Sequence, residues 1–74
     1  MIIKRLEGYF TSFVNIHVEG YFIERFINMC RIQKIYLWDI EKKNDIYLTA
    51  NIGIRDFKKL KKIAKKTKCK VGIN

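Results

Sequence analysis

Proline is absent from the chain, histidine occurs once and cysteine twice, and 7 acidic residues stand against 16 lysines and arginines. Each shortage closes a class. Cys30 and Cys69 match no zinc or redox spacing, and two cysteines are too few for a disulfide-built secreted scaffold. No apolar run approaches the roughly 20 residues that span a bilayer. The four glycines form no phosphate-cradling loop. Lys4, Arg5 and Glu7 break up the apolar residues at the start of the chain, so no secretory signal forms. What is left is 74 residues, 49% of them hydrophobic, enough for one small folded domain and too apolar for a disordered chain. The expectation is a single soluble, cytosolic domain over residues 1–74.

The net charge of +9 is unevenly placed. Residues 53–74 hold Arg55 and eight lysines against Asp56 alone, whereas residues 1–52 are nearly neutral. The excess charge therefore belongs to one stretch of the chain, and the local structure of that stretch decides what the charge does.

Periodicity supplies that structure. Ile3, Leu6, Phe10 and Phe13 recur at three- and four-residue spacing, which a short helix or an irregular leader over residues 3–13 would both produce. Val14, Ile16 and Val18 alternate with Asn15, His17 and Glu19, the pattern of a half-buried strand that Gly20 ends. Phe22, Phe26 and Cys30, with Ile23 and Ile27 beside them, predict an amphipathic helix over residues 21–33. Residues 35–40 read as a strand apolar on both faces, with Tyr36, Trp38 and Ile40 on one side and Ile35 and Leu37 on the other. A polar turn over residues 41–45 leads to a hairpin partner in which Ile46, Leu48, Ala50 and Ile52 alternate with polar positions.

After Gly53 the spacing predicts a second helix over residues 54–67. Ile54, Phe57, Leu60, Ile63 and Ala64 share one arc, and Lys58, Lys59, Lys62, Lys65 and Lys66 cover the other. Lys61 falls inside the apolar arc and must run its stem outward. Cys69, Val71 and Ile73 give a last short strand. The order β-α-β-β-α-β predicts an α+β, ferredoxin-like fold: a four-stranded, mostly antiparallel sheet with two helices on one face, plus the leader.

No catalytic, metal or cofactor site emerges. His17 lies on the polar face of a strand with no serine, cysteine or second base placed to work with it. Asp39, Glu41 and Asp45 cluster where polar turns ordinarily carry acids. A nucleic-acid binder is the alternative, because RNA-recognition motifs share this element order and the charge has the right sign. Their stacking platform is missing, however, since the two strands expected at the centre expose only one tyrosine, Tyr47. The lysines alone would give sequence-independent phosphate attraction. They would equally suit an anionic membrane surface, an acidic protein, or plain solvation of a small domain. Tyr36 and Trp38 are candidate apolar contacts if residues 3–13 leave their strand face uncovered.

The segments Gly8-Tyr9, Val18-Glu19-Gly20-Tyr21 and Glu24-Arg25-Phe26-Ile27-Asn28, then residues 35–40 (IYLWDI), Asp56-Phe57-Lys58-Lys59-Leu60 and the lysine-rich residues 65–71, occur in an order that resembles the YqfD sporulation proteins of endospore-forming Firmicutes. The resemblance implies the small N-terminal domain of a longer protein with one transmembrane helix and a larger domain beyond it. Such proteins are associated with a late stage, stage IV, of spore formation in the mother cell, and no catalytic residue carries over. The lysine-rich end would then place this domain at the cytoplasmic face of the membrane. Its partners would be other sporulation proteins, further copies of itself or the anionic membrane surface. Contacts would fall on Lys58, Lys59, Lys62, Lys65 and Lys66, with Tyr36 and Trp38 as apolar contacts.

Overall fold

A computed structural model describes residues 12–74. The expected leader over residues 3–13, apart from Ser12 and Phe13, lies outside the described residues. Strand β1 (Phe13–Glu19) is followed by helix α1 (Ile23–Ile32), strands β2 (Leu37–Asn44) and β3 (Tyr47–Gly53), helices α2 (Ile54–Phe57) and α3 (Leu60–Thr67), and strand β4 (Lys70–Ile73). The sheet runs β2-β3-β1-β4, and every neighbouring pair is antiparallel. The ferredoxin-like α+β arrangement is therefore present, with the second helix divided in two.

Alternation sets the sheet's two faces. Ile16 and Val18 of β1 and Leu48, Ala50 and Ile52 of β3 are buried under the helices, where α1 adds Ile23, Phe26 and Cys30, and α3 adds Leu60 and Ile63. Asn15, His17, Thr49 and Asn51 occupy the opposite face, which is open among the described residues. Thr67, at 1% exposure, belongs to the core although its hydroxyl suggests the surface; it donates to the Ile63 carbonyl at 2.8 Å, which satisfies the hydroxyl within the helix.

Three expectations need correction. The turn expected over residues 41–45 is strand through Asn44, and only Asp45 and Ile46 form the turn. Ile35 and Tyr36 precede β2 instead of belonging to it. Within β2 a bulge between Trp38 and Glu41, with Asp39 at φ 53°, inserts an extra residue. That insertion flips the phase: Trp38 and Glu41 face the open side opposite Asn51 and Thr49, while Ile40 sits at the sheet edge, bordering both a small cleft with Ile27, Cys30 and Leu37 and the open-face hollow beside Asp39 and Thr49. The strict alternation expected to keep Tyr36, Trp38 and Ile40 on one face is thus broken at Asp39, while Tyr36 and Trp38 remain stacked. The bulges and the lysines Lys42 and Lys43 also blunt this edge against pairing with another chain. Lys42 reaches Glu24 of α1 at 2.8 Å, and the ammonium holds that carboxyl below its usual range.

Both long helices end the same way. Lys34 and Lys68 take left-handed backbones, φ 62° and 57°. Behind them Ile35 N–H donates to the Cys30 carbonyl at 2.8 Å, and Cys69 N–H to the Ala64 carbonyl at 3.0 Å. This is a glycine-type cap closed with lysine. Replacing Lys68 by glycine removes the left-handed penalty and is expected to raise stability by about 0.5–1 kcal/mol, read as a higher Tm in thermal unfolding.

The two cysteines are buried and unpaired. Burial, helped by the negative charge of Asp56, pushes the Cys30 thiol up to about 11 from an ordinary 9.0. Above pH about 9 the unfolded chain gives up a proton that the folded chain keeps, so this thiol's contribution to stability is lost between about 9 and about 11. At pH 8 the native protein is expected to resist a thiol-specific disulfide reagent that reacts at once in denaturant.

Candidate docking surface

Gly53, with an extended backbone (φ −63°, ψ 146°), turns the chain from β3 into α2. The helical path of α2 continues through Lys58 and Lys59, both in right-handed conformation, but the amide of Lys59 bonds back only three residues, to the Asp56 carbonyl at 2.9 Å. The single helix expected over residues 54–67 is tightened at that step. As a result the buried seam of α3 is Leu60, Ile63 and Thr67, while Ile54 is exposed and Phe57 half-buried.

The lysines divide around this seam. Lys58, Lys59, Lys62 and Lys66 line a groove of about 520 Å³ against the C-terminal end of α1, with Met29, Gln33, Ile35 and Ile63 as the remaining wall and floor. Lys65 is exposed and lies outside the groove. Lys61 is also exposed and borders a smaller cleft of about 300 Å³ with Phe57, Leu60, Ala64 and Val71 on the β4 side. Lys59 meets Asp56 at 3.4 Å; among the described residues, Lys58, Lys62, Lys65 and Lys66 have no acidic partner within 4.0 Å. Lys58, Lys62 and Lys66 follow one another at i, i+4, where like charges each cost a few tenths of a kcal/mol. A bound anion would relieve that repulsion.

The apolar candidates lie elsewhere. Tyr36 and Trp38 stack on each other with centroids 5.7 Å apart and planes 19° from parallel, and Phe13 tilts against Trp38 at 5.6 Å. Tyr36 is 59% exposed and Trp38 half-buried. Trp38 belongs to the open face of the sheet, whereas the lysine groove is on the helical face. Tyr36 also lines a small cleft with Ile35, which floors the lysine groove, so of the two aromatic candidates it is Trp38 that is set apart from the lysines.

The open face is engaged with itself. Asn74 donates to Asn15 Oδ1, Asn15 Nδ2 to Asn51 Oδ1 at 2.7 Å, and Asn51 Nδ2 to Asp39 Oδ2 at 3.2 Å. Because the Asp39 carboxylate only accepts, the polarity of the whole chain is set, and His17 Nδ1–H donates to Asn74 Oδ1 at 2.8 Å. The His17 ring is stacked on Tyr47 at 5.9 Å and rests against Gly72, where an added Cβ would lie 2.6 Å from the ring. On this face the two central strands carry Phe13 and Tyr47 beside the amide chain, Phe13 tilted against Trp38 and Tyr47 stacked on the internally paired imidazole.

Met29, Gln33 and Ile35 are the groove residues that periodicity alone passed over. Met29 and Gln33 form an i, i+4 stripe beside the buried Cys30 seam, and the left-handed turn at Lys34 folds Ile35 back beneath them. The family described as putative stage IV sporulation protein YqfD matches residues 8–74. No curated protein and no solved structure matches the chain.

Proposed function

The chain belongs to the YqfD family of putative stage IV sporulation proteins, and from that premise we propose that it is a non-enzymatic docking domain whose lysine face binds an anionic surface presented by another component of the sporulating cell. The observation that carries this reading is the set of four lysines around one groove, three of them without an acidic partner among the described residues. A charge distribution needed only for solubility would gain nothing from repeated like-charge contacts on one helix or from converging on a concavity. The domain works at the cytoplasmic face of the mother-cell membrane, as the soluble part of a membrane-anchored protein. Among the described residues no helix is long and apolar enough to cross a membrane, so the anchor in this reading lies elsewhere in the protein.

The test is a five-fold reversal, Lys58→Glu, Lys59→Glu, Lys62→Glu, Lys65→Glu and Lys66→Glu, introduced into the whole protein in its sporulating host. All five side chains are exposed, so the protein is expected to accumulate normally while heat-resistant spore yield falls. Normal accumulation together with normal spore yield would refute the docking role.

A further inference from the structure

Resting on that reading of the lysine face, we infer that the groove between α1 and α2–α3 receives an acidic amphipathic segment of a protein partner, with carboxylates on Lys58, Lys59, Lys62 and Lys66 and an apolar side chain over Met29, Ile35 and Ile63. Charge selects the sign of the occupant, and the floor selects its kind. Met29, half-buried, is the apolar wall an occupant can cover, above Ile35 and Ile63, which are already buried in the core; a phosphate backbone or a headgroup layer would leave Met29 facing water or charge. Among the described residues no aromatic side chain lines the groove, so a nucleobase finds nothing there to stack on. A concavity between two helices fits a protruding side chain better than it fits a flat bilayer.

The donors agree with this occupant. Lysine ammoniums are compact point charges on flexible stems, able to follow carboxylates spaced along a helix or an extended segment without fixed bidentate geometry. An amphipathic helix laid in a groove between two helices would set glutamates toward the lysine rim and an aliphatic anchor toward the floor. Arg31, although on α1, is not among the groove's lining residues, so among the described residues the cations of the groove are lysines.

Two charge-matched double variants separate the groove from the general basic face. K62E/K66E removes two rim lysines, and K61E/K65E makes the same change in net charge outside the groove. The probes are a synthetic peptide with glutamates and leucines at helical spacing, polyglutamate of the same length, and vesicles of equal parts phosphatidylglycerol and phosphatidylcholine. Thermal unfolding of each variant checks that the fold is kept. The parent is expected to bind the amphipathic peptide about tenfold tighter than polyglutamate. K62E/K66E should lose at least about tenfold in affinity for that peptide, and K61E/K65E less than about threefold. Met29→Gln should weaken the amphipathic peptide and leave polyglutamate unchanged. Equal losses in the two double variants would overturn the groove while leaving the basic face as the docking surface. No loss in either would overturn both. Vesicle binding that exceeds peptide binding and depends equally on both pairs would assign the face to the membrane and refute the peptide groove.

Discussion

Phe26→Ala is expected to leave the domain largely unfolded at 25 °C. Phe26 is fully buried, at 0% exposure, and stands in α1 against the inner face of the sheet among Ile16, Val18, Leu48 and Ile52 in one apolar cluster. Truncating a buried phenylalanine costs about 3–5 kcal/mol in lost transfer free energy and cavity. A core of this size supplies about the same amount in total. Phe26→Leu keeps most of the volume and should cost about 1 kcal/mol, so it remains measurable where alanine does not. Urea titration followed by far-ultraviolet circular dichroism reads both. A cooperative alanine variant within about 1 kcal/mol of the parent would mean that the core is not centred on α1.

Gly20→Ala should cost about 1–3 kcal/mol, a large effect for one added methyl. Gly20 sits where β1 leaves the sheet, its amide bonded to the Ile46 carbonyl at 2.9 Å. A Cβ there would lie 2.9 Å from Cys69 Sγ, 3.1 Å from Cys69 Cα and 3.2 Å from the Lys68 carbonyl oxygen. Two of those three neighbours are backbone, held by the left-handed cap of α3, and cannot rotate away. In a double-mutant cycle with Cys69→Ala, removing the sulfur should recover only part of the loss. Full recovery would show that the close approach is a side-chain matter; no loss in the single variant would show that the segment between β1 and α1 is not tied to the end of α3. Gly53, with nothing within 4 Å of its Cβ position, is the contrasting site where alanine fits.

The parts of this fold that are legible in the sequence are those where one period governs an uninterrupted segment. Val14, Ile16 and Val18 announce β1, Leu48, Ala50 and Ile52 announce β3, and Phe26 with Cys30 announces the buried stripe of α1. Element order then leads to the antiparallel β2-β3-β1-β4 sheet. Legibility fails where the backbone breaks a period without a glycine or proline to mark it. Asp39 adopts φ 53° inside β2 and reverses the facing of Glu41 and Lys42, which stand on sides opposite to those that strict alternation gives, until a second irregularity between Lys42 and Asn44 restores the phase. Lys34 and Lys68 close helices in the place where glycine is usual.

The candidate site is legible in the same partial way. The lysines are visible as a charged arc of one helix, but an arc has no concavity. The groove exists because α1 and α3 pack side by side and Lys34 turns Ile35 beneath Met29, a juxtaposition of segments distant in the chain. That packing also sorts the arc, bringing Lys58, Lys59, Lys62 and Lys66 together and leaving Lys65 outside. Trp38, an apolar contact candidate in the sequence, faces the side of the sheet away from the lysine groove.

The location of the docking surface is most directly tested by residue-resolved amide shift mapping of the isotopically labelled chain, titrated in turn with the acidic amphipathic peptide and with single-stranded RNA at physiological salt. The account predicts that the peptide shifts the amides of Met29, Gln33, Lys58, Lys59, Lys62 and Lys66, that the open-face residues Asn15, Thr49 and Asn51 stay still, and that RNA produces little change. Peptide-induced shifts confined to the open face, or RNA-induced shifts there with micromolar affinity, would contradict it.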